Sequence, residues 1–178
     1  MLGRLQTSPA RMHPELVAPP VLTALAGPWG ADVLVAEIDP ALADTGAFCE
    51  RYDVALDVSA NCVVVAGRRG GETRLAACVV LATTRADVNG VVRRRLDARK
   101  ASFAPTDMAV EQTGMEHGGI TPFGLPEGWP LLVDAAVAAT PWVIVGSGVR
   151  RSKLAVPGAV LGTLPGAEVV EGLGRPTG

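Results

Sequence analysis

Residues 114–126 read GMEHGGITPFGLP, in which two adjacent glycines, Gly118 and Gly119, precede a turn stiffened by Thr121-Pro122. Glycines followed by a proline-braced turn let backbone N–H groups face a ligand that side chains would otherwise block. About twenty residues further on, the apolar run WVIVGSGVR (142–150) ends in a second glycine turn, Gly146-Ser147-Gly148, and is followed closely by Arg151 and Lys153. Two backbone-lined corners in one small chain imply a pocket.

A chain of 178 residues fits one domain and buries about 70% of its unfolded surface. Its composition is 48% hydrophobic but only 4% aromatic, with 21 glycines. A Val, Ala and Leu core with many tight turns follows, which favours a β-rich or mixed fold over a helical bundle. The clearest element lies at 61–82, where NCVVVAG and TRLAACVVLA flank RRGGE and read as a β-hairpin with a Gly-Gly turn. Upstream, VLTALAG closed by Gly27 reads as a short helix and ADVLVAEI as a strand, and Asp39 with Pro40 opens a helix through PALADTGAFCERY. Downstream, Thr84 and Asp87 suggest a capping box for a helix through DVNGVVRRRL, and a helix from Pro105 stops at Gly114. Short strands are expected near 130–133, 142–145, 153–156 and 168–170, with a turn of helix around 157–163. Strands and helices alternate without a repeating βαβ unit. The expected fold is therefore α+β, a single domain with a mixed-sheet, open barrel-like core surrounded by short helices. Residues 13–172 form the expected domain, with loosely held tails at 1–12 and 173–178.

Three cysteines, Cys49, Cys62 and Cys78, have no CxxC spacing and two sit in apolar runs. They read as buried free thiols in a reducing cytoplasm. The N-terminal segment lacks a continuous apolar stretch and no run approaches 18 apolar residues, so neither export nor membrane insertion is expected. A net charge of −2 argues against indiscriminate nucleic-acid binding.

With only His13 and His117, no metal-spaced Cys/His set and no GxSxG, no catalytic triad, metal site or cofactor site is written locally. Any hydrolysis must use other means, and one physically sound way is to hold an ester carbonyl against backbone donors while a positioned water attacks and a substrate hydroxyl shuttles the proton. The backbone of Gly118, Gly119, Ile120 and Thr121 could supply those donors, each worth about 3 kcal/mol.

The KASFAPTDMAVEQTG segment from Lys100, the GGITPFG loop and GSGVRRSK, in that order and at these separations, resemble the YbaK/ProX-type aminoacyl-tRNA editing domain family across most of the chain. The resemblance implies hydrolysis of a wrong amino acid from transfer RNA in a pocket between the two glycine corners. In that pocket Gly118 and Gly119 admit the terminal adenosine and ester, and Thr121 and Pro122 fix the loop. Gly146, Ser147 and Gly148 form the opposite wall, and Met115, His117 and Ile120 line the site. It also implies a lysine just before the first hairpin strand, meeting phosphate and ribose at the RNA 3′ end. Asn61 stands there instead and supplies no charge. Lys100, Arg150 or Lys153 could replace it from another wall.

Basic residues gather at 68–74, at 93–100 and at 150–153, and the last two groups could form a phosphate-binding rim around the glycine loops. Aromatic side chains for base stacking are few: Tyr52, Phe103, Phe123, Trp129 and Trp142. Two readings follow. The first is a freestanding deacylase that removes alanine or cysteine from proline transfer RNA, with the aminoacyl acceptor end and an aminoacyl-tRNA synthetase as partners. The second is a non-catalytic module that binds an aminoacyl-nucleotide or RNA end, which Asn61 favours. The sequence does not fix the oligomeric state.

Overall fold

Residues 2–177 are described by the structure, a computed structural model. Along them run β1 (Ser8–Pro9), α1 (Pro19–Leu25), β2 (Leu34–Glu37), α2 (Thr45–Tyr52), β3 (Ala60–Arg69), β4 (Glu72–Leu81) and β5 (Thr84–Ala86). A π-helical turn (Val88–Val92) leads into α3 (Arg93–Arg95), followed by β6 (Lys100–Phe103), α4 (Thr106–Thr113), β7 (Leu131–Asp134) and α5 (Ala135–Ala138). The chain closes with β8 (Val143–Gly146), β9 (Ser152–Val156), α6 (Gly158–Leu161), β10 (Ala167–Val170) and β11 (Gly174–Pro176).

The hairpin expected from sequence is the spine of a five-stranded mixed sheet, in the order β10-β7-β4-β3-β6. Gly70 and Gly71 hold φ of 57° and 82°, the left-handed pair that a two-residue turn of the primed type demands. Strand β4 lies inside this sheet and is covered on both faces. Ala77, Val79 and Leu81 enter one core cluster and Ala76, Cys78 and Val80 another, the two-residue alternation of a pleated strand. The second sheet runs β1-β2-β9-β8 and is antiparallel throughout. Its Val35, Val145, Leu154 and Val156 meet β4 and β7 across the main core. Its other face, through Ile144 and Ala155, receives Phe48 and Cys49 of α2. The α+β reading therefore holds, as several open sheets with short helices around them.

Differences from the sequence expectation are local. The helix expected from Pro40 to Tyr52 is split into a 3-10 turn at Pro40–Leu42, with the Asp39 carboxylate accepting from the Ala41 N–H at 2.9 Å, and a fresh helix at Thr45. Thr84 belongs to a strand, and Asp87 itself caps the following turn by accepting from the N–H groups of Gly90 and Val91. The end segments expected as loose tails are tied into the fold: Ala10 is fully buried behind β1, and Leu173 is fully buried ahead of β11, which pairs with β5. Among the described residues, no helix is long and apolar enough to cross a membrane.

Leu131, fully buried where β7 enters the main core, anchors the parallel part of the larger sheet. Leu131→Ala is expected to cost about 2–5 kcal/mol in urea denaturation.

Candidate functional site

Strand β6 pairs with β3 only over Val65 to Arg68, with one further bond from the Ala104 N–H to the Val64 carbonyl. The stretch 60–64 of β3 therefore lacks a β6 partner and forms one wall of a cavity of about 370 Å³. The turn into α2 (Ala43, Asp44) with its first residue Thr45, the exit of β6 (Phe103, Ala104), α4 (Thr106, Ala109), the glycine loop (His117, Gly118, Ile120) and the sheet residues Gly146 and Lys153 complete it.

The two glycine corners close on each other through their backbones. The Gly148 N–H donates to the Gly119 carbonyl at 2.7 Å, and the Glu116 N–H donates to the Gly148 carbonyl at 2.9 Å. So close an approach requires glycine: a Cβ on Gly119 would lie 2.9 Å from the Val149 backbone, and one on Gly146 would lie 2.5 Å from the Gly119 carbonyl oxygen. The Gly119 N–H is taken by the Glu116 carbonyl at 3.0 Å. Among the described residues the N–H groups of Gly118 and Ile120, both on the cavity wall, meet no protein acceptor.

Lys153 provides the cavity's buried positive charge, with the Asp44 carboxylate also on the lining. It sits on β9 between Ser152 and Leu154, and its side chain shares the face of Ala155 beneath α2. Only 8% of the residue is exposed. Its ammonium donates to the Ala43 carbonyl at 2.8 Å and lies 5.3 Å from the centre of the Phe48 ring. Among the described residues it makes no ion pair. Burial dominates its titration and pushes the ammonium down to about 8, with Arg150 adding to the fall and Cys49 and Asp44 opposing it. An ammonium has three donors, so two remain for a ligand.

Asn61 lines the same cavity, and its side-chain oxygen accepts from the Thr45 hydroxyl at 2.6 Å. Its amide nitrogen remains as a donor without charge. Arg150 stands at the rim, bound to the carbonyls of Pro40 and His117 and to the Asp44 carboxylate. It braces the glycine loop against the turn before α2. His117 is exposed at the mouth.

The remaining sequence candidates lie elsewhere. Lys100 is exposed at the far end of β6, opposite Arg68. Met115 is 2% exposed and belongs to the main core. Thr121 is fully buried with its hydroxyl lacking a protein partner, and Pro122 faces a different hollow, beside Trp29 and Trp129. Ser147 is fully buried, its hydroxyl 3.1 Å from the carbonyls of both Val149 and Ser152 and accepting from the Ser152 hydroxyl; it shapes the turn from behind the cavity. The basic groups at 93–100 and 150–153 do not converge. Val92 and Leu96, which flank α3, pack with Val65 and Val80 in the core cluster on the outer face of the larger sheet, while Lys153 lies under α2. Conversely, sequence reading missed Asp44 and Thr45, whose Asp-Thr-Gly string after Pro40 was a second helix start within one apparent helix.

The sequence profile of the family described as the aminoacyl-tRNA editing domain matches residues 39–164, which span the cavity's lining. The chain belongs to this aminoacyl-tRNA editing domain family. Solved structures share the fold at low identity. A candidate trans-editing enzyme for prolyl tRNA synthetase matches with a TM-score of 0.72 and 20% identity, over 87% of this chain and 97% of that one. The hypothetical protein APE2540 matches with a TM-score of 0.72 and 20% identity, over 83% and 94%. A structure from work on computational epitope grafting onto scaffold proteins matches with a TM-score of 0.73 and 21% identity, over 86% and 95%. No curated protein matches the sequence. In this editing domain the profile and the cavity coincide, and among the described residues no cluster of three His, Cys, Asp or Glu stands ready for a metal.

Two outcomes are expected of the site's architecture. Gly119→Val drives a side chain into the Val149 backbone rather than into open cavity, so it should destabilise the fold by about 1–3 kcal/mol, seen as a lower melting temperature. Lys153 binds its proton less readily when folded, near 8, than in the unfolded chain, near 10.5. Between those values the unfolded state holds more protons, so stability rises with pH. Lys153→Met should therefore be more stable than the parent at pH 7, by a margin on the order of 3 kcal/mol, and the margin should shrink by pH 10 in urea denaturation.

Proposed function

We propose that this editing domain is an aminoacyl-tRNA deacylase acting in trans, in which Lys153 supplies the positive charge that Asn61 does not. The observation that carries this reading is a nearly buried ammonium, without a carboxylate partner among the described residues, in the same cavity as Asn61 and two uncommitted backbone donors. A buried unpaired charge is costly, and its retention fits a ligand that brings the counter-charge. The 3′ end of transfer RNA, with its phosphate and ester, is such a ligand.

In this reading the ester carbonyl lies against the N–H groups of Gly118 and Ile120. Water attacks the carbonyl carbon, the two donors stabilise the oxyanion, and the ribose oxygen leaves with a proton relayed by the neighbouring ribose hydroxyl. The products are the free amino acid and the uncharged RNA. Aminoacyl esters are activated, so orientation and oxyanion stabilisation can serve without a strong general base. Ala43, Ala60, Val63, Val64 and Ala109 give the cavity small apolar walls, which suit alanine or cysteine. Discrimination on such walls amounts to about 1–3 kcal/mol. Proline transfer RNA is the proposed carrier, in line with the description of the candidate prolyl trans-editing structure.

The test is deacylation of proline transfer RNA charged separately with alanine, cysteine and proline. The parent should hydrolyse the alanyl or cysteinyl ester and spare the prolyl one. Lys153→Met should lose at least about 100-fold in turnover without a fall in melting temperature, an effect of the size of one removed electrostatic donor. Adding Asn61→Lys to that variant should restore part of the loss. Binding of charged RNA without hydrolysis by the parent would instead identify a binding module.

A further inference from the structure

Residues 68–100 carry nine of the chain's sixteen Lys and Arg but three of its eighteen Asp and Glu, a local charge of +6 in a chain whose total is −2. Four of the nine, Arg68, Arg69, Arg99 and Lys100, meet at the tip of the β3–β4 hairpin. Arg68 stands opposite Lys100 across the β3–β6 ladder, and the Arg99 N–H donates to the Arg68 carbonyl at 2.9 Å. Arg69 reaches over to Asp97, donating to its carbonyl at 2.6 Å and to its carboxylate at 3.2 Å. Asp97 is held at φ 49°, a conformation non-glycine residues adopt sparingly. The tip is thereby fastened to the turn that carries Arg99 and Lys100. Arg68, Arg69, Arg99 and Lys100 line one hollow of about 430 Å³, with Glu72 its only acid. Arg68, Arg99 and Lys100 are exposed and make no ion pair among the described residues.

This basic tip and the cavity occupy two ends of one sheet edge. From Lys100 the edge strand β6 runs to Phe103, which is 57% exposed and lines the cavity mouth. On β3, Arg68 lies seven residues from Asn61, about 24 Å at 3.4 Å per residue. At 3.4 Å per stacked nucleotide, that is about seven nucleotides of one strand. An RNA whose esterified 3′ end lies in the cavity would present its upstream phosphates at the tip, with Phe103 offering a ring for a base on the way.

We propose that the β3–β6 edge is a track for the RNA strand leading to the esterified end, with the hollow between Arg68, Arg69, Arg99 and Lys100 binding its backbone phosphates. The surface reads charge and spacing, not base identity. The proposal rests on the deacylase reading for the direction of the RNA, while the binding surface has its own readout.

Arg68→Glu/Arg99→Glu alters two exposed side chains outside the cavity, with Arg68→Lys/Arg99→Lys as the charge-retaining control. Binding of an uncharged acceptor-stem hairpin RNA, followed by fluorescence anisotropy across a salt series, should weaken at least tenfold in the Glu variant. The slope of log affinity against log salt should fall by about 2. The Lys control should bind as the parent does. For aminoacyl-tRNA, KM should rise with kcat unchanged, while hydrolysis of a short aminoacyl trinucleotide should be unaffected. Unchanged RNA affinity and salt slope in the Glu variant would overturn the inference and leave the deacylase reading standing. Equal loss on the short and full substrates would overturn it too, because the effect would then lie in the cavity or the fold. Loss of binding to phosphatidylserine vesicles with RNA binding intact would assign the patch to a membrane and overturn the RNA assignment. Reduced RNA binding in a protein that hydrolyses no charged RNA would sustain the surface and defeat the deacylase reading.

Discussion

The bond from the Gly148 N–H to the Gly119 carbonyl, at 2.7 Å, holds together two loops that are distant in sequence, and the cavity depends on it. It fastens the glycine loop to the turn between β8 and β9, and so places Gly118 and Ile120 at a fixed offset from Gly146 and Lys153. Side chains at Gly119 or Gly146 would force these backbones apart. Arg150 adds a second brace by joining the same loop, through the His117 carbonyl, to the turn before α2. In the proposed reaction, donors preorganised in this way would need no rearrangement when charge develops on a substrate oxygen.

Within that frame the buried charge of Lys153 costs stability. Burial disfavours its charged form, yet the Ala43 carbonyl and the Phe48 ring hold it in place without neutralising it. A carboxylate partner would have stabilised the fold and, in the proposed function, cancelled the field offered to a phosphate. The editing family's expected lysine belongs on β3, whereas here the positive charge rises from β9 on the facing sheet and Asn61 retains a neutral donor on β3.

Much of this was legible from the chain. Gly70-Gly71 between two β-branched runs announced the hairpin, Gly114 ended its helix in the left-handed conformation at φ 68°, and the two glycine corners pointed to a backbone-lined cavity. The source of the positive charge was not legible, because Lys100, Arg150 and Lys153 each follow or precede an apolar run and only strand register decides which turns inward. Lys153 does so because β9 pairs it with Gly146 and Ala36, on the face covered by α2. Met115 and Ser147 looked like lining residues by proximity in sequence, but the direction of each backbone sends them behind the cavity. The break at Asp44 was hidden within one helical pattern, and with it the carbonyl and hydroxyl that orient Lys153 and Asn61.

The most direct measurement is an NMR titration of the Lys153 ammonium, assigned by its loss in Lys153→Met, with and without a short RNA ending in CCA. The account predicts titration near 8 in the free protein and an upward shift when the phosphate-bearing end binds. Titration at the ordinary lysine value, unmoved by the RNA, would contradict it.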